Sequence, residues 1–190
     1  MANPTALQTA RSTWRLDAAH SSVEFAVKHM MMTTVRGRFK DVSATIHADE
    51  ERPHRSRLEV RIGTASIDTG APDRDAHLRS ADFFDAERFP TITFRSKRLE
   101  GEAHEAGDHF RLVGDLTIRD TTMEVVLDCE FEGRGTDPWG KDRVGFTAKG
   151  EIDRRDWGLR WNQAIETGGV LVANKVRLDV EVQFVRDEED

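Results

Sequence analysis

The feature that most constrains this chain is alternation with a period of two, sustained from one end to the other. Val23, Phe25 and Val27 alternate with Glu24, Ala26 and Lys28, and Leu58, Val60 and Ile62 with Arg57, Glu59 and Arg61. Ile92 and Phe94 repeat the pattern, as do Phe110, Leu112, Leu116 and Ile118. The longest runs are Met123 to Phe131, Val144 to Ile152 and Val176 to Phe184. Successive side chains of a strand point to opposite faces, so each run has one dry face and one wet face. Val35, Gly37 and Phe39 open another run, which Val42, Ala44 and Ile46 continue in the other parity. One extra residue reverses every later side chain, so Lys40 and Asp41 mark a bulge or a break. With that bent run taken as one strand there are eight, and Trp14-Arg-Leu16 reads as a short opening strand.

The links are short: Arg119-Asp120-Thr121, the segment from Gly133 to Gly140, and Ala173-Asn174-Lys175, where Asn174 suits a tight hairpin. Eight hairpin-linked antiparallel strands with apolar faces inward close into an up-and-down barrel, which removes unpaired edges. A two-sheet sandwich has the same periodicity and is the alternative. Two segments break the pattern. Residues 72–82 read as a short helix, with Leu78 and Ala81 on one side, running into Phe83-Phe84 and Phe89-Pro90. Residues 157–165 form a second irregular stretch that ends at Gly168-Gly169. Both are apolar enough to lie across a barrel opening or to plug one end of its core. The fold class expected is all-β with a short helical insertion.

A length of 190 residues, 37% of them hydrophobic, suits one domain with one core. Its expected bounds are 12–186, between a loose tail over 1–11 and an acidic tail over 187–190. The net charge of −7, without a basic block, argues against nucleic acid as a partner. The one cysteine, Cys129, closes no intramolecular disulfide and reads as a small buried hydrophobe. The first residues lack the basic start and apolar run of a signal peptide, and no stretch has membrane-spanning length. The expectation is a cytoplasmic protein that does not span a membrane.

Seven histidines include no His-x-His, His-x-x-His or helical His-x-x-x-His pair. There is no Gly-x-Ser-x-Gly elbow and no phosphate-cradling glycine loop, and parity places no carboxylate pair inward. Neither metal, cofactor nor catalytic residue is expected, and the protein is not read as an enzyme. His29 shares the inward parity of Val23, Phe25 and Val27. It is either a histidine hydrogen-bonded at the rim or a polar anchor for the head of a ligand. The other inward positions are aliphatic or aromatic, and small ones at Gly114, Ala148 and Gly150 leave room beside them. That favours a binder of an apolar molecule.

Asp17-Ala-Ala-His20-Ser-Ser-Val23-Glu-Phe25-Ala-Val27-Lys28-His29-Met30, then Val35-Arg36-Gly37-Arg38-Phe39, resemble the opening of the YceI-like, polyisoprenoid-binding family. Arg74-Asp-Ala-His77-Leu78-Arg79-Ser80-Ala-Asp82-Phe83-Phe84-Asp85 and Phe89-Pro90-Thr-Ile92-Thr-Phe94 are similar to its middle. Arg155-Asp156-Trp157-Gly158-Leu159-Arg-Trp161-Asn162 and Gly168-Gly169-Val-Leu171-Val complete the likeness, which runs from Trp14 to Val185. The resemblance implies a lipocalin-like barrel extended by a helix, a long isoprenoid tail inside it, a homodimer, and no established catalytic residues. Three features depart from the family: the absent signal peptide, Trp157 where Phe is common, and Ala173-Asn174-Lys175 in place of a Gly-Asp-Glu type of turn. The inward faces and the two irregular segments then nominate Val23, Phe25, Val27, His29, Phe39, Val60, Ile62, Phe84, Phe94, Leu116, Val125, Leu127, Phe146, Trp157 and Val180 as ligand contacts. The expected function is to carry, store or sense a long polyisoprenoid or similar apolar lipid. The alternatives are an enzyme acting on a lipid or quinone-like isoprenoid, with His29 as acid or base, and a closed structural barrel.

Overall fold

A computed structural model describes residues 11–166 and 169–187. Its strands are β1 (Arg11–Leu16), β2 (Ser22–His29), β3 (Thr33–Phe39), β4 (Val42–Asp49), β5 (Arg57–Gly63), β6 (Ile67–Asp68), β7 (Thr91–Glu100), β8 (His109–Ile118), β9 (Thr121–Thr136), β10 (Asp142–Asp153) and β11 (Val172–Arg186), with helix α1 at Pro72–Arg79. The sheet runs β1-β4-β5-β7-β8-β9-β10-β11 and closes where β1 pairs with β11. This is an eight-stranded antiparallel barrel, and the sandwich is excluded.

Three of the eight staves are interrupted, one of them being β5 with the two-residue β6. β1 and β2 are halves of one stave, since both lie on β11: Leu16 faces Phe184 and Val23 faces Val180. The opening strand is therefore no ninth stave. β4 pairs with β1 and β5, whereas β3 pairs with β2 and the two-residue β6. The parity change at Lys40 and Asp41 is the break between these halves. There the Asp41 carbonyl accepts from Gly63 N–H at 2.8 Å.

Several expected boundaries move. α1 stops at Arg79, because the Ser80 N–H and hydroxyl both turn back onto the His77 carbonyl, at 3.1 and 2.7 Å. Ala81 is exposed as a result, while Leu78 packs on the core. Gly133 and Gly135 belong to β9, and the turn after it is centred on Asp137, whose carboxylate accepts from Trp139 and Lys141 N–H at 2.9 and 3.0 Å. Ala173-Asn174-Lys175 is no hairpin turn. It lies inside β11 as a bulge: Val172 faces His29 and Val176 faces Val27, so a step of four on β11 matches a step of two on β2. Arg11 already pairs with Asp49, and Asp187 donates its N–H to the Thr13 carbonyl at 2.8 Å. The remainder of both expected tails, and Gly168, lie outside the described residues.

Candidate ligand-binding cavity

The barrel encloses a cavity of about 640 Å³, within the range of small-molecule sites. Every stave contributes to its wall through inward side chains. β2 supplies Val23, Phe25 and Val27; β3 supplies Phe39; β5 supplies Val60 and Ile62. Phe94 comes from β7, Leu116 from β8, Val125 and Leu127 from β9, Phe146 from β10, Val180 from β11, and Phe84 from the segment after α1. Strand parity accounts for all of these except Phe84, which lies in no strand. Phe39 packs between Phe25 and Phe84, with ring centres 5.8 and 6.0 Å apart. Phe146 sits among Phe110, Phe131 and Phe184 at 6.1, 5.5 and 6.4 Å.

Two nominated residues are not on this wall. His29 is half-buried at the last paired position of β2, opposite Thr33 and Val172, immediately before the turn at Met30 and Met31. Its cross-strand partner Val172 belongs to the wall, but His29 does not. Trp157 lies behind the wall: it is 3% exposed, and its indole N–H donates to the Leu116 carbonyl at 3.0 Å. A third expectation also changes. Gly114 and Gly150 leave no room for a ligand, because neighbours already occupy it. A Cβ at Gly114 would fall on the Phe94 ring, and one at Gly150 would stand 2.7 Å from Leu127. Of the three small residues only Ala148 lies on the wall.

The two ends differ. Glu50, Arg57, Arg98, His104 and Arg134 belong to the wall and are exposed, so the cavity meets solvent at the end away from α1. The opposite end is floored by Phe83, Ile92 and Leu159, all under 7% exposed. Beneath them His77 packs edge-on against Phe83 and Trp161, at 5.1 and 4.6 Å, and its Nε2 lies 2.8 Å from the Asp82 carboxylate.

Arg154 is also part of the floor and is 6% exposed. Its Nε donates to the Ala173 carbonyl at 3.0 Å, Nη1 to the carbonyls of Leu159 and Trp161 at 2.6 and 2.9 Å, and Nη2 to Val172 at 3.3 Å. Two of these carbonyls belong to the β11 bulge, so the bulge and the arginine explain each other. Burial lowers its pKa from the ordinary arginine value. Arg154 is absent from the expected contacts, although it continues the inward parity of Phe146, Ala148 and Ile152. Cys129 is a second wall residue, and burial pushes its thiol up to about 12. Among the described residues no group of three or more His, Cys, Asp or Glu side chains could hold a metal, and no helix is long and apolar enough to cross a membrane.

A closed eight-stranded barrel with a helix and a tight turn across one end, and an apolar hollow open at the other, defines the lipocalin-like class. Within that class the chain belongs to the YceI-like domain family, whose profile matches residues 14–184. A UPF0312 protein of Staphylococcus epidermidis is 35% identical over 175 residues, 92% of this chain and 98% of that one. The crystal structure of the Campylobacter jejuni YceI protein superposes with a TM-score of 0.70 at 32% identity, covering 85% of this chain and 90% of that one. A polyisoprenoid binding domain from Saccharophagus degradans has the same fold, with a TM-score of 0.68 at 13% identity over 92% and 98% of the two chains.

Proposed function

We propose that this protein binds one long polyisoprenoid or similar apolar lipid inside the barrel, as a carrier, store or sensor. The observation that carries the reading is the cavity of about 640 Å³ with apolar side chains from every stave. A closed structural barrel would fill that volume with side chains. The description of the Saccharophagus degradans domain as polyisoprenoid-binding supports the same choice of ligand. Each CH₂-sized group moved from water to such a wall gains about 0.8 kcal/mol, reduced by the ordering of the chain. The side chains able to move protons stand mainly at the mouth, so the reading is of a binder and not a catalyst. It includes a homodimer in the cytoplasm with no metal or cofactor, checked by light scattering and cell fractionation.

Extraction of the purified protein followed by mass spectrometry is expected to show a retained long-chain lipid. Titration of delipidated protein with isoprenoids of increasing length is expected to show affinity rising with each unit until the cavity is full. Equal affinity for short and long chains, or binding of neither, overturns the proposal in favour of a closed barrel.

A further inference from the structure

We propose that Arg154 receives the carboxylate of a long-chain acid at the floor of the cavity, with the chain extending towards the mouth. This rests on the apolar-binding reading above and adds the head group and its orientation. A guanidinium has five N–H groups, and four hydrogen bonds to carbonyls are formed. Those carbonyls satisfy donors but bring no formal charge into contact with the guanidinium. Among the described residues no carboxylate lies within ion-pair distance of Arg154: the adjacent Asp153 is held by Arg155 at 2.6 Å. The Arg155 charge offsets part of what Asp153 supplies at Arg154. A buried charge with no carboxylate in direct contact is unfavourable, and a ligand carboxylate arriving there would make a charge-assisted hydrogen bond in a dry setting.

The mouth offers less. Arg57 donates to the carbonyls of Arg55 and Ser56, Arg98 pairs with Glu100 and Glu124, and Arg134 is exposed, so an acid head there is paired in water. One remaining N–H on a guanidinium that touches only carbonyls matches a single carboxylate. A diphosphate would bring more negative charge to the floor than Arg154 neutralises.

The test uses hexadecanoic acid, isotopically labelled at its carboxyl carbon, and hexadecan-1-ol as the neutral control, both bound to delipidated full-length protein. In the wild type the labelled signal is expected to resist broadening by a chelated gadolinium ion in solution, and to stay ionised well below the pH at which the free acid titrates. In Arg154→Met the acid-to-alcohol affinity ratio is expected to fall at least about tenfold, the scale of one charged hydrogen bond. If that variant does not fold, the wild-type spectra decide alone. A carboxyl signal that is broadened and titrates normally, with both ligands bound, overturns the floor site and leaves the lipid reading intact. Binding of neither ligand overturns the lipid reading, and this inference with it.

Discussion

Val125 and Val126 are adjacent and chemically identical, yet one lines the cavity at 8% exposure and the other faces outward at 39%. Val125→Asp places an unpaired carboxylate against an apolar wall, at a cost of several kcal/mol. Thermal melts are therefore expected to show severe destabilisation for Val125→Asp and a small change for Val126→Asp; equal losses would contradict the facing. Gly114→Val is expected to lower stability by about 1–3 kcal/mol in urea unfolding, because its side chain overlaps the Phe94 ring. His29→Ala, off the wall, is expected to leave lipid affinity unchanged in the same titration that tests the ligand. The facing of Val125 was legible from parity alone. The roles of Gly114 and His29 were not, because each depends on what a neighbouring strand brings to that position.

Elements of the barrel are joined by a small ionic cluster on its outer side. Arg143 of β10 donates to Asp17 at 2.6 Å, beside the bend between β1 and β2, and to Asp137 in the β9–β10 turn at 2.7 Å. Its guanidinium holds both carboxyls below their usual range. Arg155 likewise holds Asp153 at about 2. Carboxyls with depressed folded pKa values stabilise fully above the unfolded value of about 4, and that contribution is lost as the pH falls through the folded values. Stability is thus expected to decline between about pH 4 and pH 2, and Arg143→Gln to be less stable at neutral pH with a shallower acid slope. Denaturant titrations across that range check both. The turn between β2 and β3 carries strain of another kind: Met30 and Met31 have φ of 50° and 58°. L side chains pay about 1–2 kcal/mol per residue in that region. Replacing the pair by Asn-Gly is expected to raise the melting temperature.

Across the whole molecule, a cavity of about 640 Å³ is expected to couple stability to occupancy. A ligand that binds only the folded barrel, at a hundredfold excess over its Kd, adds about 2.7 kcal/mol. Calorimetry is expected to show a higher melting temperature for lipid-loaded than for delipidated protein. The gain should grow with chain length, and added salt should change it little for a neutral ligand, because the wall is mostly uncharged. A rise in melting temperature with no dependence on length would point to a surface site. Occupancy is also expected to slow alkylation of Cys129 by an apolar thiol reagent, since that thiol lies on the wall.

The sequence by itself determined which face of each strand is dry, where the second stave breaks, and most of the cavity wall. Those properties follow from a period of two, which needs only the local pleat of an extended chain. What needed the tertiary structure were the properties set by contacts between distant segments. Closure by β1 on β11 excluded the sandwich, and the bulge in β11 turned an expected hairpin into the carbonyls that hold Arg154. Phe94 and Leu127 occupy the space that Gly114 and Gly150 were expected to leave free. Trp157 went behind the wall because a carbonyl forty-one residues earlier accepts its indole N–H. Alternation specifies the direction of a side chain; only packing in three dimensions decides what that side chain meets.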